Sequence, residues 1–168
     1  MQCDSTGCHP VRAHKTGDMA IDAGVGVEKA WLDLPDDNVS PMMAELHAGM
    51  GVYASPVLAI GLRGHVVVGG GPTTITSLGI DVQLDRGGIF VAACPAIASL
   101  HVASAIPELG AADALAAAVE LRAGLDLGRA SVAIVATPMY AFANDSVDPS
   151  NQLHGALRLG ASVAIELP

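Results

Sequence analysis

Few side chains in this sequence of 168 residues combine a reactive type with a useful spacing. Cys94 precedes Pro95 at the end of an apolar run, where a thiol is either a nucleophile or a small buried hydrophobe. No base lies near it in sequence. The six histidines, His9, His14, His47, His65, His101 and His154, are spread along the chain. None shows the His-x3-His or Glu-x2-His spacing by which one helix face grips a metal. Each taken alone reads first as a structural residue. Cys3, Cys8, His9 and His14 crowd the N-terminus, but a Cys-x4-Cys-His run matches no standard zinc knuckle. Gly69-Gly70-Gly71 lacks a following Lys-Ser/Thr, and Pro72 removes a backbone donor, so it reads as a hairpin turn rather than a phosphate loop. No metal and no cofactor are expected.

The strongest constellation surrounds the single tryptophan, Trp31. In a strand, residues two apart share a face, which puts Lys29, Trp31 and Asp33 together. A ring flanked by opposite charges does not suit a core. It suits a cleft in which the ring stacks on a ligand, or equally a subunit interface. A cleft between subunits satisfies both.

The elements that would position these residues follow from local pattern. Residues 1–18 read as a flexible arm and 19–168 as one domain. Val25, Val27 and Ala30 to Leu34 predict a strand, Asp36-Asp37-Asn38 a turn, and Ser40-Pro41 a helix start running to Gly49. Met42, Leu46 and Met50 would share that helix's buried face, with Glu45 off it. Tyr53 to Leu62 predicts a strand, 63–88 a hairpin-like excursion, and Ile89 to Ala93 another strand. Ser99 to Ile106 reads as a helical turn or two. Gly110 to Ala123 reads as an alanine-rich helix, Ser131 to Ala136 as a strand, Pro138 to Pro149 as a loop, and Ser150 to Leu167 as a last helix. Helices alternating with strands argue an α/β or α+β two-layer domain.

Composition bounds the function. Hydrophobic residues make up 51% and charged residues only 15%, below the usual ~25% of soluble chains. Disorder is excluded for most of the chain. A membrane helix needs ~20 consecutive apolar residues, and Ala111 to Leu127 and Ile89 to Ile106 are both interrupted. The polar first 18 residues show no signal peptide. The net charge of −9 with scattered arginines excludes a basic nucleic-acid surface. An odd cysteine count of 3 argues against a disulfide framework. The expectation is a cytoplasmic protein with no membrane and no nucleic-acid partner, its missing surface charge covered by copies of itself.

Ala30-Trp31-Leu32-Asp33-Leu34, Ser40-Pro41, Leu58-Ala59-Ile60 and Gly110-Ala111-Ala112-Asp113 resemble, in order and spacing, the motifs of the formaldehyde-activating enzyme family. That family condenses formaldehyde with tetrahydromethanopterin. The resemblance implies an α+β fold, a two-layer β-α-β sandwich related to the second domain of ribosomal protein S5. It also implies a homopentamer with ligand sites between subunits, and makes 63–88 an insertion. Trp31 stands where the family has its catalytic histidine, and Asp113 where it has a glutamine. The scaffold would therefore serve a lyase-like, cofactor-independent reaction on a planar or heterocyclic small-molecule substrate: addition, elimination, condensation or cyclisation. Asp33, His47 and Tyr140 are the expected catalytic residues, and Trp31, Lys29 and Asp113 the substrate-binding ones. The alternatives are a non-catalytic heterocycle binder, a ring-forming structural subunit, and a true formaldehyde-activating enzyme.

Overall fold

The computed structural model describes residues 2–4, 7–9, 14–33, 38–69, 73–103, 111–144 and 152–167. Its elements are all strands: β1 (Gln2–Asp4), β2 (Gly7–His9), β3 (Met19–Asp33), β4 (Asn38–Val39), β5 (Met42–Ser55), β6 (Leu58–Gly69), β7 (Thr73–Arg86), β8 (Ile89–Ala103), β9 (Ala111–Asp126), β10 (Ala130–Asn144) and β11 (Gly155–Glu166). β1 and β2 form a small hairpin of their own. β3 and β5 to β11 each pair antiparallel with the next, and β11 pairs back on β3 from Gly155↔Asp33 to Glu166↔Asp22. That last pairing closes a barrel of 8 strands and removes the free edges of the sheet.

This corrects the expected α+β sandwich: no helix is present among the described residues. The segments expected as helices at 41–49, 110–123 and 150–167 run instead as β5, β9 and β11. The reason is arithmetic. A spacing of four, as in Met42, Leu46 and Met50, keeps residues on one face of a helix and also on one face of a strand. Between them, Met43, Glu45 and His47 turn to the opposite face and are buried. In β9, alanine occupies both faces, so neither period stands out. The expected loop at 138–149 is strand as far as Asn144, and β8 continues through Ser99 to Ala103. The stretch from Tyr53 to Leu62 is not one strand but the β5–β6 turn with its flanks. The excursion at 63–88 is no insertion, because β6 and β7 are full members of the wall.

Connections differ between the two ends. At one end lie Pro56-Val57, Gly87-Gly88 and residues 127–129, all short, together with the start of β3 and the end of β11. Gly87 and Gly88 both have positive φ (66° and 86°), as a tight two-residue hairpin turn requires. At the other end the connections are 34–41, 70–72, 104–110 and 145–154.

The interior is a core, not a pore. Beneath the longer connections, Leu32, Met43, Val67, Ile75, Leu100, Met139 and Leu153 pack with Ala98, Ala114, Ala116 and Ala118. The alanines are there because a barrel of this strand number has room for few large inward side chains. Phe90, Ala92, Cys94 and Val135 are buried further along, and the polar inward positions are described below.

The outward face is apolar on every wall strand. Val25, Leu46, Leu62, Leu78, Ile97, Leu121, Ile134 and Val163, one from each, are all exposed. The low charge content therefore needs no covering subunits, and the expected homopentamer with intersubunit sites has no basis in this architecture.

Candidate functional site

The alternation that sends leucines outward sends charges inward. Glu28 and Asp22 come from β3, Glu45 and His47 from β5, Arg63 and His65 from β6, Asp81 from β7, Glu120 and Arg122 from β9, and Arg158 from β11. In β5, β6 and β9 the polar residues stand two apart, at Glu45-x-His47, Arg63-x-His65 and Glu120-x-Arg122. That is the strand period, so each pair enters the lumen together.

Two layers result. Nearer the short-turn end, Arg63 Nη2 donates to both oxygens of Asp22 at 2.8 and 2.9 Å. Arg122 Nη2 donates to Asp81 Oδ2 at 2.6 Å, and Arg63 Nε reaches the same oxygen at 3.4 Å. Deeper in, Glu45 Oε1 lies 2.9 Å from Nδ1 of both His47 and His65. His65 Nδ1 is also 3.2 Å from Glu120 Oε2, and Arg122 Nε is 3.0 Å from Glu120 Oε1. Arg158 Nη1 stands 3.0 Å from Glu28 Oε2 as an ion pair, and its Nη2 donates to Thr137 Oγ1 at 3.3 Å. Glu28, Glu45, Glu120, His65, Arg63 and Arg158 are all less than 5% exposed. Burying such charges is tolerated only because they pair.

Glycine makes the room. A Cβ on Gly24 would collide with the His47 imidazole and with the Val163 carbonyl oxygen, and one on Gly160 would meet the Glu28 side chain at 2.6 Å. Towards the short turns the lumen opens into a cavity of about 100 Å3, lined by Asp22, Tyr53, Asp81, Gln83, Asp126 and Glu166 among others. His14 stacks on Tyr53 beside it, with ring centroids 3.8 Å apart.

The residues expected to form one site are dispersed. Lys29, Trp31 and Asp33 do share a face, but it is the outer face of the barrel, with the Lys29 ammonium 5.2 Å from the Trp31 ring centroid. Tyr140 is also outside, 71% exposed, and lines a shallow depression with Trp31, Gly155 and Leu157. Asp113 is exposed on β9 and accepts from His101 Nδ1 at 2.6 Å. Only His47 lies in the lumen. Cys94 is inward and buried, as the small-hydrophobe reading of it has it. The side chains of Cys3, Cys8 and His9 lie outside the described residues. The lumenal residues Glu45, Arg63, His65, Asp81, Glu120, Arg122 and Arg158 were not legible as a site while their segments were read as helix or excursion, and Glu28 stood on the opposite face of the expected strand from Lys29, Trp31 and Asp33. Their signal is charge at alternate positions within apolar runs.

No family model matches the chain, and no curated protein matches its sequence. Among solved structures, Neisserial surface protein A aligns with a TM-score of 0.57 at 11% identity, over 89% of this chain and 97% of that one. The N-terminal β-barrel domain of Pseudomonas aeruginosa OprF aligns with a TM-score of 0.56 at 9% identity, over 87% and 97%. Both are 8-strand outer-membrane β-barrels. These likenesses overturn the formaldehyde-activating resemblance, the lyase-like reaction drawn from it, and the cytoplasmic, membrane-free setting. At such identities they show the fold alone: the chain has the architecture of a closed antiparallel barrel of 8 strands, apolar outside and charged within.

Proposed function

We propose that this chain spans an outer membrane as a closed, non-conducting barrel that displays its longer connections at one face. One observation carries the reading: the outward residues of all wall strands are apolar around the whole circumference. A protein partner would cover one side of such a surface, whereas lipid covers every side at once. No helix among the described residues is long and apolar enough to cross a membrane, but a barrel crosses with strands. A spanning strand needs ~9–11 residues, and the wall strands have 12 to 16.

Outward charges stand at the two rims. Lys29, Asp33, His101 and Asp113 lie towards the longer connections, and Arg86 towards the short turns. Trp31, Tyr140 and Phe142 add exposed rings on the first rim, as an interfacial aromatic girdle does. Lys29, Trp31, Asp33 and Tyr140 thus serve as bilayer anchors, with Lys29 snorkelling past the Trp31 ring. Longer connections facing outward and short turns facing inward match the usual orientation of such barrels.

The test is folding from denaturant into lipid vesicles. A folded barrel migrates differently on unboiled and boiled electrophoresis samples. Trp31, the single tryptophan, should be quenched more by nitroxides near the headgroups than by nitroxides at the bilayer centre. A chain that folds without any amphiphile into a soluble monomer overturns the proposal.

A further inference from the structure

We propose that Glu45, His47 and His65 form a lumenal binding site for a zinc-type divalent cation. Each offers one donor atom, and these atoms lie within 4.8 Å of one another. His47 and His65 are cross-strand partners on β5 and β6, so the pairing register itself sets the two rings together. Their centroids are 5.9 Å apart, and both Nδ1 atoms address one oxygen, Glu45 Oε1. Nitrogen and carboxylate donors in this number are the usual set for zinc with an open fourth position. Zinc ligands stand roughly 3.3 Å apart at tetrahedral geometry, so the 2.9 Å separations need to open only slightly.

Charge favours a cation at this point. Arg63 is committed to Asp22, Arg122 to Asp81, and Arg158 to Glu28. Glu45 has no guanidinium, and Glu120 shares Arg122 with Asp81. The Glu28 carboxyl also lies against Glu45. Asp22, Glu28, Glu45, Asp81 and Glu120 set five carboxyls against the three guanidiniums. A divalent ion would offset that excess of acidic groups. Glu45 Oε2 and His65 Nε2 are buried with no hydrogen-bond partner in the described structure. The cavity at the short-turn end lies beyond the Arg63–Asp22 and Arg122–Asp81 layer, and its lining aspartates Asp22, Asp81, Asp85 and Asp126 outnumber Arg63, Arg122 and Arg129. An acidic mouth concentrates cations.

The experiment uses the full, tag-free chain folded in detergent micelles, stripped with chelator and titrated with Co2+. The expected result is one ion per chain, the visible ligand-field bands of low-coordinate Co2+, and displacement by Zn2+. His47→Gln, His65→Gln and Glu45→Gln should each weaken binding by at least about tenfold, since even outer-shell partners are worth that much. His101→Gln, on the outer rim, should leave it unchanged. Absence of the bands in the unmodified chain overturns the proposal without recourse to any variant. So does Co2+ binding that persists in a His47→Gln/His65→Gln chain shown to be folded by its heat-dependent mobility. The site depends on the lumen and not on lipid, so it stands or falls independently of insertion into vesicles.

Discussion

At the residue scale, stability rests on pairings that leave no buried charge alone. Arg158 is 1% exposed and faces Glu28, itself 1% exposed. Arg158→Met should destabilise the barrel by about 1–3 kcal/mol, because it leaves the buried Glu28 carboxyl and Thr137 Oγ1 without their partner. Adding Glu28→Gln should recover part of that loss, since no ionisable group is then buried opposite the missing guanidinium. Urea unfolding of the barrel in vesicles, followed by Trp31 fluorescence, reads both; a double variant no better than the single would refute the assignment. Glycines separate in the same way. Gly24→Ala forces a methyl into the His47 ring and the Val163 carbonyl and should cost about 1–3 kcal/mol. Gly64→Ala meets nothing closer than 3.7 Å and should be tolerated. Equal losses in the two variants would contradict the close approach at Gly24.

At the element scale, the outer and inner faces of one strand face different solvents. Leu78 is 63% exposed near the middle of β7. Leu78→Arg should cost about 2–4 kcal/mol in a bilayer, and the same charge at Thr74, nearer the rim, about 0–1. Vesicle unfolding of the two variants checks the depth dependence; similar costs would mean that β7 does not cross lipid. Period two was legible around Trp31, where Lys29, Trp31 and Asp33 do share a face, and Ser131 to Ala136, read as strand from its continuous apolar run, does form strand. It was hidden elsewhere by even spacings. Leu157 and Ala161, four apart, are outward strand neighbours that also suit a helix. Alanine hid it again in β9, where Ala116 faces in and Ala117 faces out. The lumenal cluster was hidden for a different reason. His47 and His65 meet only through the β5–β6 register, and no spacing along the chain announces a contact made across strands.

At the scale of the whole molecule, the sequence's two oddities have one cause. Charged residues are few because the outer wall carries almost none, and many of those present point inward, where they pair. The lumen is then too full to conduct. Arg63, Arg122 and their carboxylates cross it as a layer, His47, His65 and Glu45 fill the next, and Leu32, Met43, Ile75 and Leu100 close the end beneath the longer connections. The open part, about 100 Å3 at the short-turn end, is a dead end. A barrel of this strand number is at the limit where side chains alone fill the interior. In a planar bilayer, the folded chain should therefore insert without steady conductance steps at moderate voltage. Steps of uniform size, persisting at low protein concentration, would show a continuous aqueous path and contradict the apolar closure. Their absence from a preparation proven folded by heat-dependent mobility would leave the interior its role as a packed, ion-paired core closed to through-flow.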